Sequence, residues 1–190
     1  MALAERRFNR AIHAARRGDP AGFRFLWDTF AGPVSGFLRA RGTPEVGEVV
    51  NDVFAAAFDT LYRFEGSEVE FRAWLFAIAR NKRIDQLRRQ ARRPAGTPLD
   101  DGDPALVAAI EDAALQAVDD RELFGVLELL TSDQRDVIVL RFVIDLSLEQ
   151  TAVALDKPVG AVKALQHRAL DRLRKKFPDN PYPNRPGPPI

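Results

Sequence analysis

The chain of 190 residues contains no cysteine, which excludes disulfides, zinc–thiolate sites and thiol redox chemistry. Histidine is almost missing too. His13 and His167 lie far apart in sequence, so a histidine-based metal site is not expected and no cofactor is called for. No run of about eighteen apolar residues occurs, so no membrane insertion is expected. The N-terminal MALAERRFNRAIHAARRGD interrupts its apolar residues with arginine and holds no signal-peptide core, which predicts a cytoplasmic protein. Paired-carboxylate motifs and glycine-rich phosphate loops are also missing, which argues against a helical hydrolase; no enzyme activity and no catalytic residue is expected.

What is present is segregated charge. The net charge is only +1, yet residues 80–93 carry seven Lys/Arg against one Asp. Residues 99–122 are strongly acidic, with eight carboxylates against Arg121, and residues 163–176 carry six cations against Asp171. Two basic elements flanking an acidic middle suit a protein that meets nucleic acid at two places.

The stretch FRAWLFAIARNKRIDQLRRQARR (71–93) organises the rest. On a helical wheel Phe71, Trp74, Leu75 and Ile78 share one side, and Ala73, Ala77, Ile84, Leu87 and Ala91 the other. From Arg80 onward Asn81, Lys82, Asp85, Arg88, Arg89 and Arg92 occupy one face continuing the line of Trp74. Cations supply phosphate contacts and Asn and Asp supply base-edge partners, so the mixture points to nucleic acid rather than to a merely solvated helix end. Trp74 is expected in the core.

Along the chain, Asp19-Pro20 reads as an N-cap followed by proline at the first helical position, and Thr43-Pro44 repeats the pattern. Helices are predicted at about 5–17, 20–40 and 44–63. The third is richly apolar (Val46, Val49, Val50, Val53, Phe54, Ala57, Phe58, Leu61), either because part of it serves a protein partner or because it is buried between two neighbours. Ser67 with Glu70 forms a capping box, which places the loop 65–70 beside the start of the basic helix, where the two could form a pocket. PAGTPLDDGDP (94–104) reads as a linker, and PDNPYPNRPGPPI (178–190) as an unstructured tail. Beyond the linker, ELFGVLELL is amphipathic, Thr131/Gln134 and Ser147/Gln150 are capping boxes, and DQRDVIVLRFVID is predicted as one helix. The turn Asp156-Lys157-Pro158 precedes a basic helix. That is a helix-turn-helix pattern, with a plain helical hairpin as the alternative. Val159, Val162, Leu165, Gln166, Ala169 and Leu173 are expected to face inward; Lys163, Ala164, His167, Arg168 and Asp171 outward. The expected fold is all-α: two small helical domains joined by an acidic linker containing Pro and Gly, the second a four-helix domain with the helix-turn-helix.

Three segments in order, VVNDVFAAAFDTLYRF, FRAWLFAIARNKRIDQLRR and LTSDQRDVIVLRFVIDLSLEQTAVALDKPVGAVKALQHRALDRLR, resemble an extracytoplasmic-function (ECF) sigma factor of bacterial RNA polymerase. The resemblance implies a first domain at 1–93 (sigma region 2), a linker at 94–118, a second domain at 119–177 (sigma region 4) and a tail at 178–190. It implies three partners: core polymerase through its clamp coiled-coil and flap, promoter DNA, and an anti-sigma protein. It further assigns core-polymerase binding to Val49, Asp52, Val53 and Phe54. The minus-ten contacts fall to Asn81, Lys82, Asp85, Arg88 and Arg89, with a flipped base held between the loop 65–70 and the following helix. The minus-thirty-five contacts fall to Lys163, Ala164, His167 and Arg168. The family often has Ser-Arg where this chain has Ala164-Leu165, so contacts there are fewer or apolar. The alternative is a stand-alone helix-turn-helix regulator with an N-terminal sensor or dimerisation domain, which would have no use for a second basic face.

Overall fold

A computed structural model describes residues 2–92 and 125–177, and every regular element in them is helical. The proposed linker 94–118, the first residues of the second domain and the tail 178–190 lie outside the described residues. The chain divides into two compact units, Met1–Ala117 and Val118–Ile190.

In the first unit α1 (Ala2–Arg16), α2 (Pro20–Ala40), α3 (Val46–Thr60) and α4 (Glu68–Arg92) are joined by short turns, with one 3₁₀ turn at Leu61–Arg63. Asp19 caps α2 as its sequence predicts, its carboxylate accepting from the Ala21 N–H at 2.9 Å. Thr43-Pro44 does not cap α3. Gly42, at φ +60°, instead ends α2: its N–H donates to the Arg39 carbonyl at 2.8 Å and the Thr43 N–H to the Leu38 carbonyl at 3.1 Å. These are the two bonds of a Schellman ending; they engage the Thr43 backbone, while its buried hydroxyl has no partner among the described residues and the cap position of α3 falls two residues later, at Glu45. α3 starts one residue after Glu45, which sits in the left-handed region at φ 53°.

Phe71 (α4) is the centre of the core, fully buried with its ring 5.4 Å from Phe8, 5.2 Å from Phe30 and 5.3 Å from Phe64. A second cluster, Trp27, Phe54, Phe58 and Phe23, fastens α3 to α2. Such pairs add about 1 kcal/mol each beyond their buried area. The α1–α2 crossing is closer than side chains allow. A Cβ on Gly22 would lie 2.3 Å from the Ala15 backbone nitrogen.

The second unit contains α5 (residues 125–128 of its helix are described), α6 (Ser132–Ile138), α7 (Leu148–Leu155) and α8 (Val159–Lys176). Both predicted capping boxes form, Thr131 with Gln134 and Ser147 with Gln150. The predicted continuous helix 133–145 is not continuous. After Ile138 it widens into a π-turn, Val139–Val143, closed by the Ile144 N–H on the Val139 carbonyl at 3.0 Å. Widening turns Arg141 inward, to 6% exposure, and leaves Phe142 and Val143 on the surface. The buried guanidinium donates through Nε to Gln166 Oε1 of α8 at 3.1 Å and through Nη1 to the Leu146 carbonyl. Asp156, in the left-handed region at φ 51°, ends α7, and Lys157 pairs with Asp133 of α6 at 3.1 Å, so the tight turn between α7 and α8 is tied to the unit beneath it. No helix among the described residues is long and apolar enough to cross a membrane.

Candidate nucleic-acid interfaces

The first interface is built on α4. Its opening is set by the Ser67/Glu70 box: the Ser67 N–H donates to Glu70 Oε2 at 2.7 Å and the Ser67 hydroxyl at 2.9 Å. These two bonds stabilise the ionised carboxylate and hold Glu70 below the ordinary value. The first half of α4 is buried on two sides, as its pattern predicts, and Phe76 and Ala79 join the core as well. Beyond Arg80 the helix emerges. Asn81, Asp85, Arg88 and Arg89 are exposed and Lys82 is half-buried.

The cations of this face are not equally available. Arg83 is turned back to donate to the Arg41 carbonyl at 3.0 Å, while Gln86 grips the Pro44 carbonyl at 2.9 Å and the Glu45 carboxylate at 3.2 Å. Arg88 pairs with Asp85 at 3.6 Å and Arg89 with Asp52 of α3 at 3.9 Å. Both pairs are largely exposed and weak, each worth well under about 1 kcal/mol. A polyanion would displace them readily. Arg80 and Lys82 have no ion-pair partner among the described residues.

Beside this face lies an open cleft of about 600 Å³ lined by Ala56, Thr60, Arg63, Phe64, Glu65, Trp74 and Ile78. It coincides only in part with the pocket anticipated between the loop 65–70 and the helix, since Glu65 alone of that loop lines it. Its far wall is the end of α3 and the 3₁₀ turn, which the sequence reading did not assign to the site. The spacing Ala56–Thr60–Phe64 and Trp74–Ile78, both at i,i+4, was the available signal. Trp74 departs from the core expectation. It packs against Phe71 at 5.4 Å and Phe64 at 5.3 Å but is half-buried, presenting the rest of its ring to the cleft.

The expected partner face on α3 is corrected by burial. Val49, Val53 and Phe54 are 3%, 0% and 1% exposed. α3 is packed between α2 and α4, which accounts for its apolar richness and leaves those three side chains nothing to offer a partner. Asp52 is exposed. It belongs to a stripe with Glu48, Ala55 and Asp59, at i, i+4, i+7 and i+11, so α3 presents an acidic face rather than an apolar one.

The second interface is the outer face of α8. Lys163, Ala164, His167 and Arg168 are all exposed, as the wheel predicts, and Val162 and Ala169 are buried beneath them. Val159 is exposed, contrary to expectation, because it is the first residue of the helix, one position past the Pro158 cap, and extends beyond the packed surface. Asp171 accepts from Arg174 at 2.9 Å, and its other carboxylate oxygen lies 3.0 Å from His167 Nδ1, so the exposed imidazole sits against a carboxylate of its own helix. Lys163 and Arg168 have no partner among the described residues.

A helix-turn-helix in one unit, and in the other a basic face bordering an aromatic cleft, define a chain of the transcription-initiation class. The family described as Sigma-70 region 2 matches residues 29–93, and that described as Sigma-70, region 4 matches 126–175. The ECF RNA polymerase sigma factor SigX of Bacillus subtilis is 33% identical over 162 residues, covering 80% of this chain and 82% of its own. SigD of Mycobacterium tuberculosis, another ECF RNA polymerase sigma factor, is 32% identical over 191 residues, covering 93% and 87%. Among solved structures, CnrH in complex with the cytosolic domain of CnrY superposes with a TM-score of 0.61 at 27% identity, covering 90% of this chain and 97% of CnrH. The chain belongs to the ECF RNA polymerase sigma factors.

Proposed function

We propose that this sigma factor joins core RNA polymerase and opens a bipartite promoter by binding alone, with no catalytic step of its own, in the cytoplasm where the polymerase works. Residues 1–93 act as region 2 and 119–177 as region 4, with 94–118 connecting them. Asp52 and its neighbours Glu48, Ala55 and Asp59 form the polymerase contact on α3. Asn81, Lys82, Asp85, Arg88 and Arg89 track the minus-ten strand, one base of which enters the cleft against Trp74. Lys163, Ala164, His167 and Arg168 enter the major groove at the minus-thirty-five element, where the Ala164 methyl suits a thymine methyl. Binding the unpaired strand more tightly than the duplex is sufficient for melting, since it offsets a few kcal/mol of unstacking per step.

The observation that carries this reading is the concave aromatic cleft at the edge of a basic helix face, in a chain whose other unit is a helix-turn-helix. A protein that only docked on duplex would need the second feature without the first. An anti-sigma protein is proposed as a further partner, supported by the exposed Phe142, Val143 and Val153 on the second unit and by the precedent of CnrH with CnrY. The test is co-elution of the chain with core polymerase followed by run-off transcription from genomic promoter fragments. New transcripts that disappear on Lys82→Ala with Arg88→Ala, and return on a template premelted at minus ten, support the melting role. Free elution with duplex binding by the protein alone would refute it.

A further inference from the structure

Next to the cleft the 3₁₀ turn Leu61–Arg63 carries the most exposed aromatic side chain of the first unit. Tyr62 is 63% exposed. Its surroundings are polar rather than apolar: Asp59, Arg63 and Glu65 are all exposed, so the ring is not part of a greasy docking patch. Arg63 places its guanidinium 5.1 Å from the Tyr62 ring centroid and also lines the cleft, so ring and cleft share a side chain. Arg16, in the last turn of α1, donates through Nε to the Leu61 carbonyl at 3.3 Å, which anchors a second cation against the same turn. The rest of that guanidinium has no acceptor among the described residues, and Arg17 follows it, exposed. An exposed ring flanked by cations free to meet phosphate is the combination that single-stranded nucleic acid recognises, because every base has a π-face and every step a charge.

We infer that Tyr62, Arg63 and Arg16 form a second single-strand subsite, which takes the nucleotide adjacent to the one held in the cleft. The base stacks on the face of the Tyr62 ring that Arg63 does not cover, and its phosphate lies between Arg63 and Arg16. This rests on the cleft reading above and extends it. The strand runs from the polar face of α4, across the cleft, and out over the 3₁₀ turn towards the end of α1. Asp59 and Glu65 border the track and repel a phosphate that strays from the two arginines.

The experiment uses holoenzyme assembled from the full chain and core polymerase. The probe is the non-template strand of a promoter fragment that supports run-off transcription, premelted, with 2-aminopurine placed at one position at a time. Two adjacent positions are expected to be quenched. Thr60→Glu puts a carboxylate on the cleft wall from an exposed position and abolishes the first response. Tyr62→Ala abolishes the second and weakens strand binding about tenfold, whereas Tyr62→Phe retains both. Arg16→Gln lowers the slope of log affinity against log salt by about 0.7, the value for one single-strand phosphate contact. If Tyr62→Ala binds and quenches like the parent while Thr60→Glu does not, the subsite is wrong and the cleft stands. If Thr60→Glu also changes nothing, the cleft reading fails and takes the subsite with it.

Discussion

The two units differ in how many of their cations are already engaged, although Arg80 and Lys82 on α4 have no ion-pair partner among the described residues and Arg174 on α8 is paired with Asp171. On α4, Arg83, Arg88 and Arg89 are already engaged with a carbonyl or a carboxylate of the same unit, and the face borders a cleft. On α8, Lys163 and Arg168 project without partners from a convex helix. A convex, unpaired row fits the regular phosphates of a duplex groove and needs no rearrangement to bind. A face with exposed pairs and a concavity fits an irregular strand, where a base must be lodged and weak pairs exchanged for phosphates. The difference matches the proposed division of labour, in which the second unit holds duplex and the first holds melted DNA.

The largest effect that would separate the units is Gly22→Ala. Its Cβ has only α1 backbone to meet, and backbone cannot swing aside, so the first unit should lose about 3 kcal/mol. Thermal unfolding should show one transition lowered and the other, from the second unit, unmoved; a common shift would mean the units unfold together. Next is Arg141→Leu, which strands Gln166 Oε1 and the Leu146 carbonyl in the second unit at a cost of about 2 kcal/mol. Transcription from promoters that depend on a minus-thirty-five element should fall while binding to a premelted minus-ten template is kept. Gln166→Glu, which preserves the acceptor, should behave like the parent.

A finer test compares two cations on one face. Lys82→Ala should lower the salt dependence of premelted-template binding by about one phosphate contact, and Arg89→Ala by less, because Arg89 exchanges an existing pair with Asp52. Equal changes would show that the pair does not form in solution. The smallest effect is in pH. Since folding lowers the Glu70 pKa, its contribution is complete above the ordinary value of 4.5 and is lost as pH falls through the folded value. The first-unit transition should therefore drop slightly more between about pH 5 and pH 3 in the parent than in Glu70→Gln, with the second unit as internal reference.

Much of this was legible because its causes are local. The capping boxes at Ser67, Thr131 and Ser147 bond within three residues of themselves, and the outward row Lys163, Ala164, His167, Arg168 follows from the helical period alone. Two of the errors come from what neighbouring elements take. Thr43 has the chemistry of an N-cap, but its backbone belongs to the end of α2 and α3 begins after Glu45, and Val49, Val53 and Phe54 have the chemistry of a partner face but are claimed by α2 and α4. The π-turn was invisible because it exists to bury Arg141 against Gln166, twenty-five residues away.

By itself, then, the sequence determined the helices, their capped starts, the division of charge and the family, since each is set by residues within a turn or two of one another or by their order along the chain. Tertiary structure alone decided which side of α3 faces solvent, which arginines of α4 are free, and that Ala56, Thr60, Arg63, Phe64, Trp74 and Ile78 converge on one cleft. A helix apolar on more than one side has several faces it could bury. Only the helices packed against it choose among them.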